Sequence, residues 1–180
     1  MKNLKFFYSY DLGIDNVNDL NTLKNLNYVK LNENNLTGNI PTELNTIASL
    51  ETLLLDNNNL SGSVPNFSAN SLVDLYISSN NIVFDGLETN HTNNLSIANY
   101  YYSPQNKTSE DVTHQLIISD NITFDATITG NNNQYQWYKD EVLQDGFTNP
   151  ILNITNIQIN QFGDYVYKIT QPTITGLVLE

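Results

Sequence analysis

The side chains that could move a proton or hold a metal are two histidines, His91 and His114, and 19 aspartates and glutamates. The histidines stand far apart in dissimilar polar stretches, and neither has a second histidine at helical spacing, so no metal site is expected. The acid pairs Glu110–Asp111 and Asp140–Glu141 are adjacent. On a strand, adjacent side chains point to opposite faces, whereas glycoside hydrolysis needs two carboxylates flanking one bond. There is no cysteine, which removes thiol catalysis, thiolate-bound zinc and disulfides together. No G-x-S-x-G, phosphate loop, dinucleotide fingerprint, EF-hand or RTX pattern occurs. The expectation is a protein that is not an enzyme, with no catalytic residue, no metal ligand and no cofactor.

Charge narrows the partners. The seven basic residues are all lysines and the net charge is −12. Residues 1–96 carry 4 lysines against 10 acids and the remainder 3 against 9, so no basic half hides behind an acidic one. Nucleic-acid binding rests on neutralising phosphates and is excluded. No apolar run approaches the length of a membrane span, so membrane insertion is not expected. The opening stretch MKNLKFFYSYDLG is broken by Asp11 before a signal-peptide core can form. Either the protein is not exported in this form or this is an internal piece of a longer exported chain, and the second is the favoured expectation. With 39% apolar residues and 11% aromatics, the chain is expected to fold.

The elements that would position a site come from a repeat. LNYVKLNENNLTGNIP from Leu26, LETLLLDNNNLSGSVP from Leu50 and LVDLYISSNNIVF from Leu72 share L-x-x-L-x-L-x-x-N-x-L, at spacings of 24 and 22 residues. Val29 with Leu31, Leu53 with Leu55, and Leu75 with Ile77 alternate inward on short strands. Asn34, Asn58 and Asn80 recur at one position, where an amide can bond backbone groups that a turn leaves unpaired; they are expected to form a structural ladder. Gly38 and Gly62 suit a tight turn, and Pro41 and Pro65 keep the following segment out of a central sheet. Leu20, Leu23 and Leu26 match Leu44, Ile47 and Leu50 as half a repeat, and Tyr10 stands where a ladder asparagine would be. Phe6, Phe7 and Tyr8 are expected to cap that end, unless earlier repeats precede them. The third repeat loses the Gly-Pro string.

After Ser96 the period disappears. Ile122, Phe124, Ala126 and Ile128 alternate with polar residues, as do Tyr135 and Trp137, Leu152 and Ile154, and Tyr165, Tyr167 and Ile169. Asn- and Gly-rich turns separate them, which predicts an antiparallel sandwich of short strands. Trp137 is expected in its core. Tyr138, on the opposite side of the same strand, is the surface candidate for stacking against a sugar. Tyr100–Tyr102 is expected to pack between the two units. Sequons at Asn35, Asn66, Asn90, Asn94, Asn106, Asn121 and Asn153 fit the abundance of Asn, Ser and Thr, and glycosylation is the weaker reading.

Two resemblances follow from these strings. L-[TS]-G-x-[IV]-P closely resembles the plant-type leucine-rich repeat, whose extra string forms a second turn or short strand on the convex side. F-x-A-x-I-x-G, YQWYKDE and GDYVY resemble strands of an immunoglobulin-like domain. The resemblance makes Trp137 the core tryptophan and Tyr165 the tyrosine-corner residue, and puts Ala126 and Tyr167 where that family has its disulfide. Gln161 stands where the family often has an acid. The Tyr167 ring is expected to fill the missing bridge's space against Trp137. Nearly the whole chain, including F-D-G-L-E and Y-S-P-Q, resembles bacterial secreted or cell-surface proteins in which plant-type repeats run into a cysteine-free immunoglobulin-like module.

The expected fold is therefore mainly β: a short leucine-rich repeat solenoid over 1–96, then an immunoglobulin-like β-sandwich over 97–180 that includes a connector, 97–107. The resemblance implies an extracellular or cell-surface location. The side chains between the inward leucines would face a concave, ligand-binding surface in three columns: Tyr28–Thr52–Asp74, Lys30–Leu54–Tyr76 and Asn32–Asp56–Ser78. Leu54, apolar at an outward position beside Tyr28 and Tyr76, marks a recognition surface. The expected function is non-catalytic recognition or adhesion with a protein or polysaccharide partner. The alternatives are a structural spacer or capping unit, and an accessory glycan-binding module of an exported enzyme.

Overall fold

The computed structural model describes residues 5–8 and 24–180. Tyr10, Leu20 and Leu23, and with them most of the half-repeat, lie outside the described residues. The chain is mainly β, with both parallel and antiparallel pairing. A five-stranded sheet runs in the order β1 (Phe6–Tyr8), β2 (Tyr28–Lys30), β4 (Thr52–Leu54), β6 (Asp74–Tyr76) and β7 (Asn99–Tyr101). All its pairs are parallel and in register, so Val29, Leu53, Leu75 and Tyr100 stand side by side. Phe7 completes that row at the β1 end and packs against the core. The residues expected to cap this end are thus a strand of the sheet itself.

Two physical causes hold the stack together. The inward side chains Val29, Leu31, Leu53, Leu55, Leu75 and Ile77 are fully buried. The turn after each strand is tied by its asparagine. Asn58 Nδ2 donates to the carbonyls of Leu31, Leu55 and Asp56, while its Oδ1 accepts from Leu36 N–H. Asn80 repeats this with the Leu55, Ile77 and Ser78 carbonyls and Leu60 N–H. Asn34 Nδ2 donates to the Leu31 and Asn32 carbonyls. The Asn58 and Asn80 amides therefore satisfy backbone groups of their own period and the preceding one, which a buried turn otherwise leaves unpaired.

Opposite the large sheet, β3 (Thr37–Gly38) and β5 (Asn59–Leu60) form a short parallel pair. Gly62, at φ +69°, has a backbone that L side chains rarely adopt, and a Cβ there would meet Asn39 Oδ1 at 2.1 Å. In the next period this segment is replaced by α1 (Phe84–Glu88) and α2 (His91–Asn94). Phe84 and Leu87 fill the core from α1, and buried Asn94 bridges Phe67 N–H and the Pro65 carbonyl. Of the sequons, Asn94 is therefore closed to modification in the folded chain.

β7 lies in the stretch expected to be a connector. Ile97, Tyr100, Tyr102 and Gln105 fall where Leu72, Leu75, Ile77 and Asn80 fall one period earlier. Gln105 does the work of a ladder asparagine: Oε1 accepts from Asn80 and Ile82 N–H, and Nε2 donates to the Ile77 and Tyr102 carbonyls. Tyr100 and Tyr102 pack against the first core and His91.

The remaining strands are antiparallel. β8 (Ile122–Asp125) pairs with β11 (Ile151–Ile154), and β9 (Gln134–Lys139) lies between β10 (Val142–Leu143) and β12 (Tyr165–Thr170). Ile122, Ala126, Trp137, Leu152, Ile154 and Ile157 form a second core. Trp137 Nε1 donates to the Asn149 carbonyl at 2.8 Å, and Tyr165 hydroxyl to the Gln161 carbonyl at 2.8 Å. Tyr167 meets Trp137 edge-on at 5.3 Å, and its hydroxyl bonds Thr108 and Ser109. β8 stops at Asp125, so Ala126 and Ile128 follow the strand rather than extending it. Ile169, Ile174, Leu177 and Leu179, all 2% exposed or less, belong to the first core, not the second. Tyr102 hydroxyl and Ser103 Oγ hold this closing segment by the Thr175 and Gly176 carbonyls.

Candidate ligand-binding face

Strand register converts the expected columns into rows across five strands. The first is Phe6–Tyr28–Thr52–Asp74–Asn99 and the second Tyr8–Lys30–Leu54–Tyr76–Tyr101. Asn32, Asp56 and Ser78 follow just beyond the strands. At about 4.8 Å between strands the rows span roughly 19 Å.

Tyr28, Lys30, Leu54, Asp56, Asp74, Tyr76 and Ser78 are half-buried. Two residues expected on the open surface are not: Thr52 and Asn32 are each 8% exposed. Thr52 is short and lies between Tyr28 and Asp74, and its Oγ1 donates to Asp74 Oδ2 at 2.9 Å. Asn32 Nδ2 donates to Oε1 of the next residue, Glu33. Both shape the face from beneath rather than offering surface.

Four residues of the face were not anticipated. Phe6 and Tyr8, 56% and 53% exposed, flank Tyr28, with the Tyr8 and Tyr28 rings 5.2 Å apart. Tyr101, 50% exposed, meets Tyr76 edge-on at 4.5 Å. Asn99 Nδ2 donates to Asp74 Oδ1 at 2.7 Å. The signal for the last two was the 25-residue offset from Asp74–Asn80 to Asn99–Gln105, disguised by tyrosines for leucines and glutamine for asparagine.

The electrostatics are acidic around the paired tyrosines. Loss of solvent, then Tyr101 and the nearby charges of Asp74 and Asp56, push the Tyr76 hydroxyl above its ordinary value. Asp74 is oriented by two neutral donors, Thr52 and Asn99, and Asp56 by Asn57 Nδ2 at 2.7 Å. Neither carboxylate has an ion-pair partner among the described residues; the three ion pairs join Lys107 to Asp111, Lys139 to Asp140 and Lys168 to Glu180. The face thus offers aromatic rings, one leucine and fixed carboxylates.

Elsewhere, the Lys168 ammonium sits 5.3 Å above the Tyr138 ring and occupies the platform expected for a sugar. His91 is buried against Tyr100 and Tyr102, which lowers its pKa, and His114 lies edge-on to Phe124. Among the described residues no three His, Asp or Glu side chains converge as a metal site would require, and no helix is long and apolar enough to cross a membrane. No protein-family model matches the chain, and no curated protein matches it.

Proposed function

We propose that the chain is a non-catalytic recognition module of a secreted or cell-surface protein, binding an extended protein or polysaccharide through the outer face of the parallel sheet. The observation that carries this is the half-exposed stripe Leu54–Tyr76–Tyr101 beside Tyr28, on a face whose neighbouring side chains are held by hydrogen bonds. A rigid face with aromatic and aliphatic anchors loses little entropy on binding. On this reading the stacked periods are a short leucine-rich repeat solenoid that runs past Ser96 through Gln105. The in-register parallel pairing and the amide ladder support it. The antiparallel strands are an immunoglobulin-like sandwich, supported by buried Trp137 and by the Tyr165 hydroxyl bond to Gln161, as in a tyrosine corner.

A second reading, a rigid spacer, is favoured by one observation: Ile169, Ile174, Leu177 and Leu179 share the first core, which locks the two units together. The two readings part in a binding screen against polysaccharides and extracellular proteins, run beside a variant combining Lys30→Ala, Leu54→Ala and Tyr76→Ala that melts as the parent does. A ligand lost in the variant supports recognition through the sheet. Absence of any ligand leaves the spacer as the better account.

A further inference from the structure

The face is polarised, and this narrows the partner. At the β1–β2 end it carries Phe6, Tyr8, Tyr28 and Lys30; at the β6–β7 end it carries Asp74, Tyr76, Tyr101 and Asn99, with Asp56 nearby. Resting on the recognition reading above, we infer that the β6–β7 end receives a lysine or arginine side chain from an extended peptide segment of a partner protein.

Two features point the same way. First, the Asp74 carboxylate is clamped by neutral donors on both oxygens, at 2.9 Å from Thr52 and 2.7 Å from Asn99. Its direction is set, and among the described residues no cation pairs with it. Asp56 is held likewise by Asn57. Second, these charges flank the ring pair Tyr76–Tyr101. A guanidinium or ammonium laid on an aromatic face and hydrogen-bonded to a carboxylate gains from both.

The aliphatic stem of the incoming side chain would lie along Leu54, as long cationic side chains do on apolar surface. At long range the net charge of −12 draws a cationic partner in and repels an anionic one. A neutral glycan fits less well. It would remove water from two carboxylates without supplying an opposing charge.

The test uses the whole chain and three labelled probes: a peptide alternating lysine and serine, its counterpart with glutamate for every lysine, and a neutral cello-oligosaccharide. Binding is followed by fluorescence anisotropy at low and high salt. The expected result is that only the lysine peptide binds, and more weakly at high salt. Asp74→Asn and Asp56→Asn, with melting unchanged, should each weaken it about three- to fivefold. Tyr76→Leu should do the same, while Tyr76→Phe, which keeps the ring, should stay within about twofold. No lysine-peptide binding, or binding indifferent to Asp74→Asn, overturns the inference. Oligosaccharide binding lost in Tyr76→Leu but kept in Asp74→Asn overturns it while leaving the face as the binding surface. Lysine-peptide binding that survives every face variant overturns both readings.

Discussion

Replacing Asn58 by alanine tests what holds the stacked periods together. The Asn58 side chain is 4% exposed and makes four backbone contacts. The acceptors on its donor side keep other partners: Leu31 O also receives Asn34 Nδ2, and Leu55 O also receives Asn80 Nδ2. Leu36 N–H is different, because Asn58 Oδ1, at 3.0 Å, is what satisfies it inside the core. A buried donor left unmade costs about 1–3 kcal/mol, and the weaker donor-side bonds add roughly 0.5–1 kcal/mol. The expected loss is about 2–3 kcal/mol, a fall in Tm of roughly 4–12 °C for a chain of this size. Asn35→Ala, at an exposed neighbour, should stay within about 0.5 kcal/mol. Thermal and urea unfolding of the two variants beside the parent decide it. If Asn58→Ala melts with Asn35→Ala, the amide ladder does not stabilise the stack and the reasoning fails.

Gln105→Ala should destabilise by a comparable margin, since it orphans the N–H groups of Asn80 and Ile82; a neutral result would mean β7 is held by its aromatic packing alone. Tyr167→Ala should cost about 2 kcal/mol, reduced from a fully buried aromatic because the ring is only half-buried, whereas Tyr167→Phe keeps the contact with Trp137 and should cost about 1 kcal/mol at most. Equal melting of Tyr167→Ala and the parent would show that the ring does not fill the space beside Trp137. Burial lowers the pKa of His91 and the groups packed on it are the neutral rings of Tyr100 and Tyr102, so the unfolded chain takes up the proton first. Stability should be full above about pH 6.5 and fall as the pH drops below it. His91→Gln should flatten that part of a Tm-against-pH curve, and an unchanged slope would assign it to other groups.

What the sequence disclosed and what it hid divide along physical lines. Val29, Leu53 and Leu75 could be aligned because each period meets the same surroundings, and one residue type answers that demand best. At β7 the surroundings change. Its outer neighbours are His91 and the segment Thr175–Gly176, so Tyr100 and Tyr102 replace the aliphatic residues, and Gln105 makes the turn bonds with a longer arm. The pattern was broken by the end of the stack, while the hydrogen bonds it encodes were kept. Thr52 failed for a second reason. Alternation tells which face a side chain takes, but not whether taller neighbours such as Tyr28 close over it. A third lies in Ile169, whose alternation with Tyr165 and Tyr167 is correct although it enters the other core. Period two assigns a side of a strand, and only tertiary packing assigns what lies on that side. The same limit explains the candidate face: its members were legible one strand at a time, whereas the pairing of Tyr76 with Tyr101 and of Asp74 with Asn99 exists only across a strand boundary that the repeat had ceased to mark.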